Sequence, residues 1–583
     1  MRARVLRILL SAAVVAGCAP GPGVAPPPPA DPATLPAVGE PGSDDAVVVV
    51  GIVGHPAPRT LNPLLEGPDV AVLDLLAPAL FAQGYRIDPE TLEPVPVVLN
   101  EIPTIANGGL VVEPGGIMEV RVRVRPGAVW ADGTPITGED LAFTIRTVLD
   151  PGLPIRADLR DRYSLIIPGS LRPQGAELEF RMRVDASVEL LFDLILPAHE
   201  VAGSDFGTAW DEEPWVSGGP FHVDRHAPGQ YLDLRRNERY WRSAADGTPL
   251  PRLDRVVVRF FDAGPVPDQR MLRGLAGGEL DAVVVSFTGP IPDEYRDLES
   301  KGLRLVTVPS PGWAQLGFQF GPGNRNPESL NRHREFRSAV AHAIDRGALA
   351  EARESAVVES IVGAYLPGLG GSPWGAYRHD PGRTRALLYR LGQSIGADLF
   401  AGFGPRMVVT AASSAPEMVA LAGDIVVMLN EAGIAAELQL EAPDLFFGPS
   451  LTAGTWDAAV WRLRGVTGRA GAIALLRMFD PERPPLVGSN FSRWGTPDSV
   501  VSGPALLEFA ALMDRLDSTV DPDEIDRLLI EAEALLAGEM VLLPLVVTGS
   551  SGAIFRPGRL EGITANPAAG ALWDVESWRR PEG

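Results

Sequence analysis

From residue 46 onward the chain carries two kinds of apolar pattern. Residues 46–52 are a continuous β-branched run closed by turn residues, which predicts a strand buried on both faces. Residues 117–124 alternate instead. Met118, Val120, Val122 and Val124 fall on one side and Glu119, Arg121 and Arg123 on the other, predicting a half-buried strand that Pro126-Gly127 ends. The period then changes. Residues 70–81 and 139–149 carry helical spacing, the second with Thr137 as N-cap and Asp150-Pro151 as its stop. Further strands are predicted at 178–184, 231–235 and 255–261. Further helices are predicted at 271–276, 334–344, 383–391, 415–430, 505–516 and 524–536. Mixed elements without strict βαβ alternation and without a repeat predict α/β lobes.

The first 45 residues follow a different logic. Arg2, Arg4 and Arg7 precede a short apolar stretch, 8–16, which is too short to span a bilayer and has the length of an export signal. Val15-Ala16-Gly17-Cys18 resembles a bacterial lipobox, so Cys18 is the expected lipidation site and 1–18 the expected signal peptide. Two or more acyl chains on that residue would anchor the chain firmly, at ~0.8 kcal/mol per buried methylene. Residues 19–45, with Pro26 to Pro29, lack apolar periodicity and are expected to form a tether. The expected location is therefore outside the cytoplasmic membrane, held to it by the N-terminal lipid.

Composition narrows the function classes. The 583 residues are 45% hydrophobic, enough for large cores, and too long for one domain. A net charge of −23 argues against a nucleic-acid partner, which needs a basic surface. Cys18 is the only cysteine, so no disulfide or cysteine metal cluster is expected within the chain. His222 and His226 are four apart, but they lack the glutamate of a zinc-protease helix and sit among Pro220, Pro228 and Gly229. Neither a Gly-x-Ser-x-Gly elbow nor a phosphate-binding Lys-Ser/Thr loop is present. We expect no enzyme activity, no metal and no cofactor.

Several segments, taken in order, carry a resemblance. They are Thr60-Leu61-Asn62-Pro63-Leu64; Trp130-Ala131-Asp132-Gly133-Thr134-Pro135-Ile136-Thr137-Gly138-Glu139-Asp140; Ser217-Gly218-Gly219-Pro220-Phe221; Gly278-Glu279-Leu280-Asp281; Phe336-Arg337-Ser338-Ala339-Val340; Asp380-Pro381-Gly382-Arg383; and Leu543-Pro544-Leu545. Together they resemble the family 5 extracellular solute-binding proteins, the oligopeptide, dipeptide and nickel group of ATP-driven importers. Physically, these motifs read as turns, caps and core anchors.

The resemblance implies a two-lobed periplasmic-binding-protein-like α/β fold with an extra subdomain and a hinged cleft. The first lobe would run over 46–309, with the subdomain near 65–210, and be completed by 543–583. The second would fill 310–542, with hinges at Pro309-Ser310-Pro311-Gly312 and near Leu543-Pro544-Leu545. It also implies a monomer that captures a small solute or oligopeptide and hands it to an ABC permease and its ATPase. The family's peptide binders place a carboxylate shortly after a tryptophan. Here Trp461 is followed by Arg462 and Arg464, and Asp457 precedes it. Candidate ligand contacts are Trp313, Asp457, Trp461, Arg464 and Trp494. For Arg464 and Trp313 the alternatives of solvated surface and core packing stay open. An envelope receptor or scaffold lipoprotein with the same fold is the competing reading.

Overall fold

The β-branched run at the start of the folded chain, Val47–Val53, becomes the fourth of seven strands in a sheet of the computed structural model. The structure describes residues 46–581, except 205, 207–209, 211–215, 263–267, 401–403, 464–466 and 486–487. Signal, tether, Cys18 and Arg464 lie outside the described residues. The described chain forms two compact units, one of residues 46–310 and 549–581, the other of 311–548.

In the first unit Val47–Val53 pairs in parallel with Arg255–Phe261 on one side and Ala282–Phe287 on the other. Val48, Val50 and Ile52 are completely buried, and Val49 on the opposite face packs into the cluster built around Met271, Leu275, Val283 and Ile554. Both faces are covered, as the unbroken apolar run requires. Ser550–Phe555 returns late in the chain to insert between Ala282–Phe287 and Arg304–Pro309.

A separate four-stranded antiparallel sheet grows from the alternating pattern. Ile117–Arg123 buries Met118, Val120 and Val122 and exposes Arg121 and Arg123, which pair across the sheet with Glu179 and Glu177 of Glu177–Arg183. Helix Gly138–Leu149 packs against this sheet. At its start the Asp140 carboxylate accepts the Thr137 N–H at 2.8 Å and also the Ala198 N–H at 2.9 Å. The family-like segment from Trp130 is thus a turn followed by a helix cap. Gly218 serves the same anchor: a Cβ there would meet the Trp130 ring at 2.8 Å.

The second unit holds a five-stranded sheet in the order Ala435–Glu441, Arg406–Ala412, Ala458–Leu463, Trp313–Phe318, Leu542–Val547. The first three strands are mutually parallel, and Trp313–Phe318 runs antiparallel to both its neighbours. This corrects the expected boundary. Leu543-Pro544-Leu545 is not the start of the returning segment, which begins at Gly549. It is an edge strand of the second sheet, with Leu543 and Leu545 fully buried. Pro544 is tolerated because the strand is the last of its sheet, its outer side bridged, among the described residues, only at Val546, opposite Val357. The chain leaves the first unit at Ser310–Pro311 and re-enters it at Thr548–Gly549. In the first unit the Ser310 N–H donates to Gly549 O at 3.1 Å; in the second the Thr548 N–H donates to Gly312 O at 2.8 Å. The two passages therefore run side by side.

Candidate ligand-binding site

Strand Ala458–Leu463 begins one residue after Asp457, the carboxylate the sequence offers for a ligand ammonium. The structure gives that carboxylate another task. Oδ1 accepts from Asn324 Nδ2 at 2.9 Å and Asn331 Nδ2 at 3.0 Å. Oδ2 accepts from Asn326 Nδ2 at 2.7 Å and the Val408 N–H at 3.0 Å. Four donors fill the four lone-pair positions of a carboxylate. Asp457 is also buried. It ties the 324–331 loop to the first residues of two strands and has nothing left for a solute.

Trp494 is likewise scaffold. It is fully buried and meets Phe509 edge-on with ring centroids 5.3 Å apart. Trp313 is fully buried at the start of its strand, and Tyr365, beside it, has its hydroxyl pushed up to about 12 by burial. Trp461 keeps 8% of its surface exposed. Its ring meets Trp456 at 5.6 Å and Phe446 at 6.4 Å, both edge-on. It lies flat across the neighbouring strand because residue 317 is glycine; a Cβ there would sit 2.5 Å from the indole.

Register places a distinct set of groups around Trp461. Gln315 is opposite Trp461, Trp313 opposite Leu463, and Thr410 opposite Ala459, so all share one face of the sheet. Glu441 falls on that face too, since Gln439 pairs with Thr410 and side chains two apart point the same way. Gln315 and Thr410 are each 1% exposed, and neither the Gln315 Oε1 nor the Thr410 hydroxyl has a hydrogen-bond partner among the described residues. Glu441 accepts from Gln439 Nε2 at 2.8 Å through Oε1 while its buried Oε2 stays unpartnered. Leaving such groups unmet costs about 1–3 kcal/mol each. Gln315 stands opposite Trp461, with Thr410 one strand and Glu441 two strands away on the same face of the sheet.

Sequence reasoning reached Trp461 and missed its companions. One signal was available: Gln315 is the single strongly polar residue of the run Trp313-Ala314-Gln315-Leu316-Gly317-Phe318. Thr410 and Glu441 carry no such signal, because their shared face depends on a register between strands distant in sequence.

The other family-like motifs prove structural. Arg337, buried on helix Arg334–Ala343, donates to Met540 O at 2.8 Å and Asn331 O at 2.6 Å. Arg346 donates to the carbonyls of Val358, Pro544 and Trp374. Burial pushes both guanidiniums down to about 10. His222 and His226 lie on strand Phe221–Ala227, where residues four apart are separated by about 13 Å. Among the described residues no group of three or more His, Cys, Asp or Glu could hold a metal ion, and no helix is long and apolar enough to cross a membrane.

Comparison with known proteins fits this geometry. The oligopeptide-binding protein OppA of Mycobacterium tuberculosis is 24% identical over 476 residues, covering 78% of this chain and 73% of that protein. The fold matches the periplasmic EDTA-binding protein EppA with a TM-score of 0.69 at 19% identity, over 92% of this chain and 97% of the other. It matches the oligopeptide-binding protein of Thermus thermophilus, solved with a pentapeptide, with a TM-score of 0.57 at 18% identity, over 92% and 96%. The model of the bacterial extracellular solute-binding proteins, family 5, matches residues 117–475. With its sheets, its paired crossings and this match over more than half its length, the chain belongs to the family 5 bacterial extracellular solute-binding proteins.

Proposed function

We propose that the chain is a lipid-anchored, extracytoplasmic solute-binding protein that captures a peptide-class solute and passes it to an ABC permease and ATPase. One observation carries the reading: the described chain passes between two α/β units at Ser310–Pro311 and back at Thr548–Gly549, and the two passages are adjacent. Rotation about that strip would move one unit as a body, which is how hinged binding proteins enclose ligands. Cys18 supplies the anchor and the following proline-rich segment the reach.

Within the second unit, the candidate solute wall is the face around Trp461. A peptide main chain offers both a donor and an acceptor to Gln315, a donor to the free Glu441 oxygen, and a flat amide to the indole. The similarity to OppA of M. tuberculosis supports a peptide over other solutes. Asp457 is not the ammonium anchor, so recognition of a free N-terminus has no carboxylate in this stretch. Arg464 lies outside the described residues; its guanidinium has the chemistry to pair with a solute carboxylate.

Native mass spectrometry of the full chain, purified without denaturation in mild detergent, tests the proposal. A family of bound masses matching peptides, lost on gentle unfolding, is the expected result. A protein that is empty, and stays empty after incubation with peptide pools, would sink it in favour of an envelope receptor.

A further inference from the structure

Away from Trp461 the second unit carries a groove of about 480 Å³ between helix Arg334–Ala343 and helix Pro381–Ile395. The Thr384 hydroxyl donates to Ala339 O at 3.2 Å and the Asp380 N–H to His342 O at 2.8 Å, so the end of the first helix lies against the start of the second. Arg334, Ser338 and His342 line one wall, and Arg383, Leu387 and Arg390 the other.

What sets this groove apart in an acidic protein is that three arginines line it together. Surface arginines such as Arg121, Arg406 and Arg579 each face a carboxylate within 3.1 Å. Arg334, Arg383 and Arg390 have no ion pair or hydrogen bond from their guanidiniums to any described residue. Two of them also sit where helix stability disfavours a cation. Arg334 is the first residue of its helix and Arg383 lies in the first turn of the other, each beside the positive end of a helix dipole. Glu335 is the one carboxylate of the groove lining.

His342 is the titratable member of its wall. Its Nδ1 donates to Arg378 O at 2.8 Å, its ring stacks at a tilt 5.6 Å from Tyr377, and its Nε2 takes no described partner. Burial lowers its proton affinity and Arg383 lowers it further, while the hydrogen bond to Arg378 O and the charge of Asp380 oppose.

Three unpaired guanidiniums, a histidine and the hydroxyl of Ser338 facing one cavity are a complement for oxyanions. Guanidinium forks match phosphate oxygens in pairs. The volume suits a small molecule or headgroup. Leu387 is the single aliphatic side chain of the lining, so an acidic peptide would find little to bury. We propose that this groove binds a phosphate-bearing polyanion, at a site separate from that of the transported solute. Occupancy would neutralise the three arginines and favour the protonated form of His342, whose Nε2 then donates.

Calorimetric titration of the full chain with pyrophosphate at low salt is the direct test. Binding is expected, weakening about tenfold for each of Arg334→Gln, Arg383→Gln and Arg390→Gln and more than a hundredfold in the triple variant. All three residues are exposed, so the triple variant is expected to keep its circular dichroism and melting temperature. NMR titration of His342 gives the second readout: pyrophosphate raises its pKa in the wild type and leaves it unmoved in the triple variant. Phosphatidylcholine vesicles with and without phosphatidylglycerol separate the sources. A preference for the anionic vesicles that the triple variant loses assigns a lipid headgroup, and pyrophosphate binding without that preference assigns a soluble phosphate. No binding at millimolar pyrophosphate, equal binding by the triple variant, or tighter binding of a polyglutamate peptide would overturn the proposal.

Discussion

The two ends of strand Ala458–Leu463 treat polar groups in opposite ways. Before its first residue, Asp457 has every lone pair answered by three asparagines and a backbone N–H. Four residues on, Trp461 shares its face of the sheet with an amide oxygen, a hydroxyl and a carboxylate oxygen that nothing in the described chain answers. A buried carboxylate that is saturated belongs to the scaffold, because its partners exhaust its chemistry. Buried groups left unmet weaken the fold, and several that lie on one face of a sheet make that face a candidate for something outside the chain to meet. The contrast separates a structural aspartate from a candidate ligand wall within one strand.

The largest effect is expected at the saturated end. Asp457→Ala would strand the donors of Asn324, Asn326, Asn331 and Val408 in a buried site. It should lower stability by about 4 kcal/mol, with soluble yield falling accordingly. Urea unfolding of wild type and variant measures it. A loss under about 1 kcal/mol, with solute affinity abolished, would instead return Asp457 to the ligand and break the comparison.

A carboxylate between these extremes sharpens it. Asp574, in the first unit, accepts from Thr564 Oγ1 at 2.6 Å and Trp578 Nε1 at 3.1 Å, two donors where Asp457 has four. Burial pushes it up to about 6 from 3.8, with the charge of Glu576 adding to the rise. The folded state therefore holds this proton more tightly than the unfolded one. Its stabilising share is complete below about pH 4 and is lost as the pH rises through about 6. The stability of Asp574→Asn relative to wild type should accordingly grow by up to about 3 kcal/mol between about pH 4 and pH 7. Paired thermal melts across that range check it, and a flat difference would mean the carboxyl is better satisfied than two donors imply.

How far the sequence could be read follows the same division. Ile117–Arg123, Val47–Val53 and helix Gly138–Leu149 were legible because their periodicity, caps and stops are local. Leu542–Val547 was not, because a proline in the middle of a short apolar run hides an edge strand that pairs with residues more than two hundred positions earlier. Asp457 was legible as a buried-strand neighbour of a tryptophan, and its role was not. Its donors come from a loop some 130 residues away, and only the register of Trp313–Phe318 against Ala458–Leu463 brings that loop over it. The glycine at 317 that lets Trp461 lie flat is likewise a cross-strand fact, invisible in either segment alone.

The smallest effect carries the most discrimination, because stability and affinity should move in opposite directions. Gln315→Leu keeps a side chain of similar size in the strand and removes an amide whose oxygen no described residue engages. If Gln315 were ordinary scaffold, its loss would lower stability and leave solute affinity to follow the fold. If its amide is held ready for a solute, the free protein loses only an unmet polar group. Its stability should then rise by about 1 kcal/mol. The complex loses a hydrogen bond in a water-poor site, so affinity for whatever solute the wild type retains should fall about tenfold. Melting temperature without solute and calorimetric affinity with it, measured on the same preparation, give both signs. Trp461→Phe in the same assay provides the companion: it keeps an aromatic ring against Gly317 while shrinking the surface offered to the solute. A Gln315→Leu variant that loses stability and keeps its affinity would place this face in the scaffold beside Asp457.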